Sequence, residues 1–173
     1  MPPFQIEQTP TWVQDLFSSE WAFFILFGLC ILEGLMMLRF MPTELLIPSA
    51  IYLIGSSIPT VILILIIAVI GTTIGQIILF LLLRKAGREF VIQSRLFPVG
   101  EKRLEKFDTW FNQWGTIAVP VTNTMLFVRG LMTFPAGLSD MNWKKFALLS
   151  AAGSTSFQSI LAGLYLFADQ VLV

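Results

Sequence analysis

The sequence predicts an all-α membrane protein, an inverted repeat of two re-entrant helical hairpins each followed by a transmembrane helix. Three observations carry that expectation. Apolar residues make up 55% of the 173-residue chain and charged residues 13%, with a mean hydropathy of +0.78, whereas soluble domains run at roughly 45–50% and about 25%. Two apolar stretches are long enough to cross a bilayer, and two others are broken by Pro, Gly and charge. The order is broken, full, broken, full, with the two halves entering from opposite faces. That is the hydropathy pattern of an inverted-repeat transporter whose site lies where the broken segments meet.

Taken in order, the chain reads as one domain. Residues 1–20 are mixed and acidic, with Trp12, Val13, Leu16 and Phe17 at near-helical spacing, which predicts an N-terminal interfacial segment. This end holds Glu7, Asp15 and Glu20 but no Lys or Arg, unlike a signal peptide, so the first apolar run is expected to be retained. Residues 21–57 form hairpin 1: an apolar arm carrying Glu33, a middle with Arg39, Pro42 and Glu44, and a second arm carrying Pro48. Residues 58–83 are the first full span, since about 20 residues cross the roughly 30 Å hydrocarbon slab. Within it, Gly71 and Gly75 let another backbone approach closely.

Residues 84–114 are a basic loop followed by an amphipathic helix. Arg84, Lys85, Arg88, Arg95, Lys102, Arg103 and Lys106 supply seven of the eleven basic residues. Short basic loops stay inside, so this loop is expected on the cytoplasmic side of a prokaryotic inner or plasma membrane. Leu104, Phe107, Phe111 and Trp114 recur at steps of three and four, giving a helix that lies in the cytoplasmic interface. Residues 115–139 are hairpin 2, interrupted by Pro120, Asn123, Arg129, Gly130, Pro135 and Gly137. Its arms are too short to cross twice, and loosened backbone survives at membrane depth only where protein or water covers it. Residues 143–167 form the last span, opened by Trp143-Lys144-Lys145 and holding the small polar patch Gly153-Ser154-Thr155-Ser156.

The absences narrow the chemistry. The chain has no histidine, which excludes His-based triads, His metal sites and His-dependent lipid-phosphate hydrolysis. Cys30 alone cannot build a zinc cluster. There is no Walker loop and no GxGxxG, so nucleotide-driven pumping is not expected. Zero net charge with few charged residues argues against a nucleic-acid partner. No cofactor, no metal and no enzymatic activity are expected.

The informative residues are charges where charge is costly, roughly 2.5–3.5 kcal/mol each at mid-bilayer. Glu33 lies in an apolar helix, and Arg129 interrupts hairpin 2. Arg39 either joins them or snorkels to the interface; Glu44 either joins them or caps the second arm of hairpin 1. A closed salt bridge of Glu33 or Glu44 with Arg129 would account for the charges structurally. A working site would use them differently: a carboxylate in low dielectric can take a proton, while a guanidinium stays charged and presents a fork suited to phosphate. Glu33 and Glu44 are therefore the candidate proton-coupling residues. Arg129, Asn123, Arg39 and Gln76 are the candidate substrate-binding residues.

These residues resemble a known family, the DedA proteins, whose domain is also called SNARE-associated or VTT, over roughly residues 20–167. The family's first hairpin has a glutamate followed by P-x-P-G-E; here Glu33 is followed by Phe40-Met41-Pro42-Thr43-Glu44. The next motif, G-x3-G-D-x3-Y-x3-R-x2-G, is similar to Gly71, Gly75, Gln76, Phe80, Arg84 and Gly87, with the aspartate and tyrosine replaced. The second hairpin resembles R-F-x-P-x2-R-x5-P-A-G through Arg129 and Pro135-Ala136-Gly137, with Asn123 at the place of the first arginine and Leu126 at that of its proline. Met141, Phe146 and Gly153 continue the register.

The resemblance implies a lipid flippase or scramblase for a phosphate-bearing lipid such as polyprenyl phosphate or a phospholipid, with protons as coupling partner. The chain ends without the additional C-terminal span usual in the family, and a homodimer would cover the bare face. The alternatives are a proton-coupled exporter of small cations or drugs, and a non-transporting membrane scaffold.

Overall fold

The computed structural model describes residues 21–37, 45–93, 101–125 and 129–172. Every regular element among them is helical, with no strand. α1 (Ala22–Gly34) is apolar nearly throughout. It ends in a cap of the Schellman type: Met37 N–H donates to the Leu32 carbonyl at 3.0 Å and Met36 N–H to that of Glu33 at 2.8 Å. Met36 takes the left-handed φ of 58° that this cap requires and glycine more often supplies. α2 (Leu46–Ile54) carries Pro48 in its first turn, where no intrahelical N–H is lost, and stops at Gly55 with φ 144°.

α3 (Ile58–Gln93) is the axis of the molecule. It does not stop at residue 83, as the sequence pattern suggested. Arg84, Lys85 and Arg88 ride on the helix because long basic side chains are good helix formers. The break comes at Gly87, whose φ of 79° and ψ of 176° only glycine adopts readily. Among the described residues, Ile58–Glu89 is the one stretch long and apolar enough to cross a membrane. α7 (Trp143–Leu172) has 30 residues, ample in length. Its mid-helix Gly153-Ser154-Thr155-Ser156 and Gln158 dilute its apolar character, so of the two expected full spans α3 alone meets the composition.

Between the two long helices lie α4 (Glu101–Trp114), a short 3-10 turn (Gly115–Ile117), α5 (Ala118–Thr124) and α6 (Thr133–Leu138). At 1.5 Å per residue, α5 and α6 are only about 10 Å long each. Part of the apolar face of α4 turns into protein. Leu104 and Phe107 are buried in a cluster with Leu79, Phe80, Phe134 and Phe146, while Trp114 is exposed.

α3 and α7 run antiparallel, since Thr72 meets Gln158 and Gln76 meets Ser150. Two apolar clusters grip this pair at different levels. One joins Leu26 and Cys30 of α1, Ile47 and Ile51 of α2, Ile64 and Ala68 of α3, and Phe157 and Leu161 of α7. The other joins the later part of α3 to α4, α5, α6 and the start of α7, with Phe80 stacked on Phe146 at 4.6 Å between ring centroids. Outside, Ile58, Ile62, Ile66 and Ile70 make an exposed stripe along α3, and Ile160, Leu164, Phe167 and Val171 another along α7. Large apolar side chains presented this freely belong against lipid, since soluble monomers rarely expose such patches.

Candidate functional site

α1 is held on α3 at backbone distance. A Cβ on Gly71 would sit 2.8 Å from that of Cys30, and one on Gly34 would strike the Thr72 carbonyl and lie 2.9 Å from Gln76 N. The spacing of Gly71 and Gly75 forecast this approach; Gly34 supplies the other side of it. The crossing places Glu33 in the last turn of α1, just before the chain leaves the helix.

There Glu33 Oε1 accepts a hydrogen bond from Arg129 Nη1 at 2.6 Å. The partners are 96 residues apart in sequence, and their side chains are only 8% and 10% exposed. Arg129 opens the turn that leads into α6. Gly130 follows with a left-handed φ of 74°, and its carbonyl accepts from Thr133 N–H at 2.9 Å. The guanidinium carbon of Arg129 stands 4.3 Å from the ring centroid of Phe157 on α7, a cation–π contact strengthened by desolvation. The end of α1 and the turn before α6 also touch through apolar atoms, since a Cβ on Gly130 would lie 3.6 Å from Met36 Sδ.

Beside the ion pair runs a layer of neutral polar groups between the two apolar clusters. Asn123 is its hub: Oδ1 accepts from Gly130 N–H at 3.0 Å and from Gln76 Nε2 at 3.3 Å, and Nδ2 donates to Gln76 Oε1 and to Ser150 Oγ, each at 3.2 Å. The Ser150 hydroxyl also donates to Gln76 Oε1. One turn further along the long helices, Gln158 Nε2 donates to Thr72 Oγ1 at 3.0 Å, and that hydroxyl donates to the Ala68 carbonyl at 2.6 Å.

Of the candidate residues, the structure brings Glu33 and Arg129 into direct contact and joins Gln76 and Asn123 to each other. Gln76 and Asn123 are buried and engaged with protein partners. Arg39 and Glu44 lie outside the described residues. The sequence reading missed Ser150, Gln158 and Phe157. The signal for Ser150 and Gln158 was the four-residue spacing of Ser150, Ser154 and Gln158, which puts three polar groups on one stripe of an apolar helix; Phe157 carried none. No cluster of acid, cysteine or histidine side chains suited to a metal ion occurs among the described residues.

The fold and this arrangement define an all-helical membrane protein with an ion pair enclosed between its short helices. Residues 41–166 match the VTT domain, and the chain belongs to that family, the DedA proteins. Undecaprenyl phosphate transporter A of Staphylococcus aureus (strain NCTC 8325 / PS 47) is 29% identical over 154 residues, 85% of this chain and 75% of that protein. The protein of the same name from Bacillus subtilis (strain 168) is 26% identical over 116 residues, 66% of this chain and 59% of that protein. Both relatives are named as transporters rather than enzymes. No solved structure matches the chain.

Proposed function

We propose that the protein carries a phosphate-bearing lipid, of the polyprenyl phosphate or phospholipid type, across the membrane as a flippase or scramblase. The observation that carries this reading is the Glu33–Arg129 pair, enclosed where the end of α1 meets the turn before α6. The names of the two relatives support the substrate class. Among the described residues, Arg129 is the charged donor in this place suited to hold a phosphate bidentately, and Glu33 competes with the phosphate for it. A proton on Glu33 removes that competitor, so proton and anion binding reinforce one another. Gln76 and Asn123 hold the Arg129–Gly130 turn while the pair is closed and face the headgroup once it parts. Arg39 is proposed as a further substrate-binding residue and Glu44 as a further proton-coupling residue. The apolar tail stays in lipid against the exposed isoleucine and leucine stripes.

In this reading the two hairpins are re-entrant halves of an inverted repeat, α3 and α7 are the spans, the basic region from Arg84 onward faces the cytoplasm, and a homodimer covers the remaining apolar surface.

The test is headgroup translocation of a fluorescent polyprenyl phosphate in proteoliposomes. Arg129→Ala is expected to lower the rate by roughly 10²-fold, the loss expected when a charged anion clamp is removed. Glu33→Gln is expected to abolish the response to an imposed pH gradient. Wild-type behaviour of both variants would overturn the reading. A closed pair also suits a non-transporting scaffold, and exchanging the charges, Glu33→Arg with Arg129→Glu, separates the two. A scaffold regains stability and phenotype together; a carrier regains stability alone.

A further inference from the structure

Serine and threonine hydroxyls in helices have a default partner, the carbonyl four residues back. Thr72, Thr122, Thr155 and Ser156 all use it. Ser154 and Thr73 do not: each leaves its hydroxyl oxygen buried with no hydrogen-bond partner among the described residues, and so does the side-chain oxygen of Gln158. Ser154 and Gln158 are essentially inaccessible from outside. On α7, Ser154 lies one turn from Ser150 and one turn from Gln158, which are both bonded across to α3 at Gln76 and Thr72. Ser154 and Gln158 thus fall inside one layer, between two apolar clusters that offer them nothing, and half-buried Thr73 lies at the same level of α3, next to Thr72.

Such groups call for a small ligand that can both donate and accept, and water is the molecule that does so. A metal cation would need a carboxylate to balance it, and the layer itself is neutral. Among the described residues, the charged groups facing it are Glu33 from α1 and Arg129 from the turn before α6, already paired with each other. Cys30, also on α1, adds a thiol one turn before Gly34. The faces of α3, α5 and α7 contribute Thr72, Thr73, Gln76, Asn123, Ser150, Ser154 and Gln158, none of which titrates.

We propose that the polar layer between α3 and α7 binds internal water at Ser154, Thr73 and Gln158 and relays protons to Glu33. This deepens the transport reading and rests on it for its purpose. The layer abuts the pair through backbone, since Gly34 packs on Thr72 and Gln76, and Gly130 bonds to Asn123. In the relay, each water or hydroxyl accepts one proton and passes on another. The last proton goes to a Glu33 carboxylate oxygen, giving a neutral acid; Arg129 keeps its charge, and no bond between heavy atoms changes.

Two measurements on the full chain in lipid bilayers test this without relying on transport. In water-edited solid-state NMR, magnetisation from water is expected to reach the Gln158 side-chain amide rapidly in the wild type and slowly in Ser154→Ala. Absence of transfer in the wild type overturns the water site. Changed transfer when sodium replaces choline in the buffer overturns it in favour of a cation.

In infrared pH-jump experiments, the carboxylic acid band that disappears in Glu33→Gln is expected to rise roughly tenfold more slowly in Ser154→Ala and in Thr73→Val, a modest fraction of what a positioned proton-transfer group contributes. Wild-type kinetics in both variants, or no such band, overturns the relay. A working relay in a protein that moves no lipid in vesicles retires the transport reading and leaves the water site standing.

Discussion

Gly87 and Arg129 show how differently single residues are held. Gly87 has a φ of 79° with extended ψ, a backbone that a side chain resists, yet nothing lies within 4 Å of where its Cβ would be. Gly87→Ala is therefore expected to cost about 1–3 kcal/mol through backbone strain alone, read as a lowered midpoint of thermal unfolding in detergent. Arg129 is fixed by its surroundings instead. Removing one partner of a buried pair leaves the other charged and desolvated, a cost of about 3–5 kcal/mol. Arg129→Ala is expected to show that loss, and Arg129→Ala combined with Glu33→Ala to be milder than the single change. A double-mutant cycle on unfolding checks it; additive losses would mean the pair does not couple. Both charges were legible in the sequence because nothing near them explained them. Their pairing was legible only as one of two options, Glu33 or Glu44 with Arg129, since contact across 96 residues depends on how two short segments dock.

At the scale of elements, the crossing of α1 over α3 is set by glycines. Gly75 meets Gly34 and the Ile31 carbonyl with no room for a methyl group. Backbone cannot move aside as a side-chain tip can, so Gly75→Ala is expected to cost at least about 1–3 kcal/mol and to displace Glu33 from Arg129. Cross-linking yield between cysteines placed at 33 and 129 in a Cys30→Ser background would report that displacement. The glycine spacing on α3 was readable from the sequence. The end of α3 was not: basic residues marked a polar region but carry no instruction to stop a helix, and the break waited for Gly87. The outward tail is then clasped to α4 by Arg88 and Asp108 at 2.5 Å. The amphipathic face of α4 was legible too, but amphipathicity does not say whether lipid or protein receives it. Leu104 and Phe107 pack into protein, while Trp114 stays exposed.

Across the whole molecule, outward apolar stripes and an inward polar layer invert the usual arrangement of a water-soluble protein. Ile66 on the exposed stripe of α3 should thus tolerate Leu but not Arg. Ile66→Arg is expected to impair insertion by roughly 2.5–3.5 kcal/mol, seen as lost membrane-fraction protein, whereas a water-facing Ile66 would accept the charge freely. Composition announced this inversion at once, because half the usual charge cannot cover a soluble surface. The composition could not show that the apolar interior is divided in two. Which side chains gather at each level follows from the antiparallel docking of α3 and α7, a tertiary fact that no local window contains.

That division has a mechanical consequence. Each end of the long helix pair is seated in its own greasy collar, and the waist between them is held by hydrogen bonds that can be exchanged one for another at little net cost. Torsion applied at one collar would be taken up at the waist before it reached the other, so the two collars need not turn together.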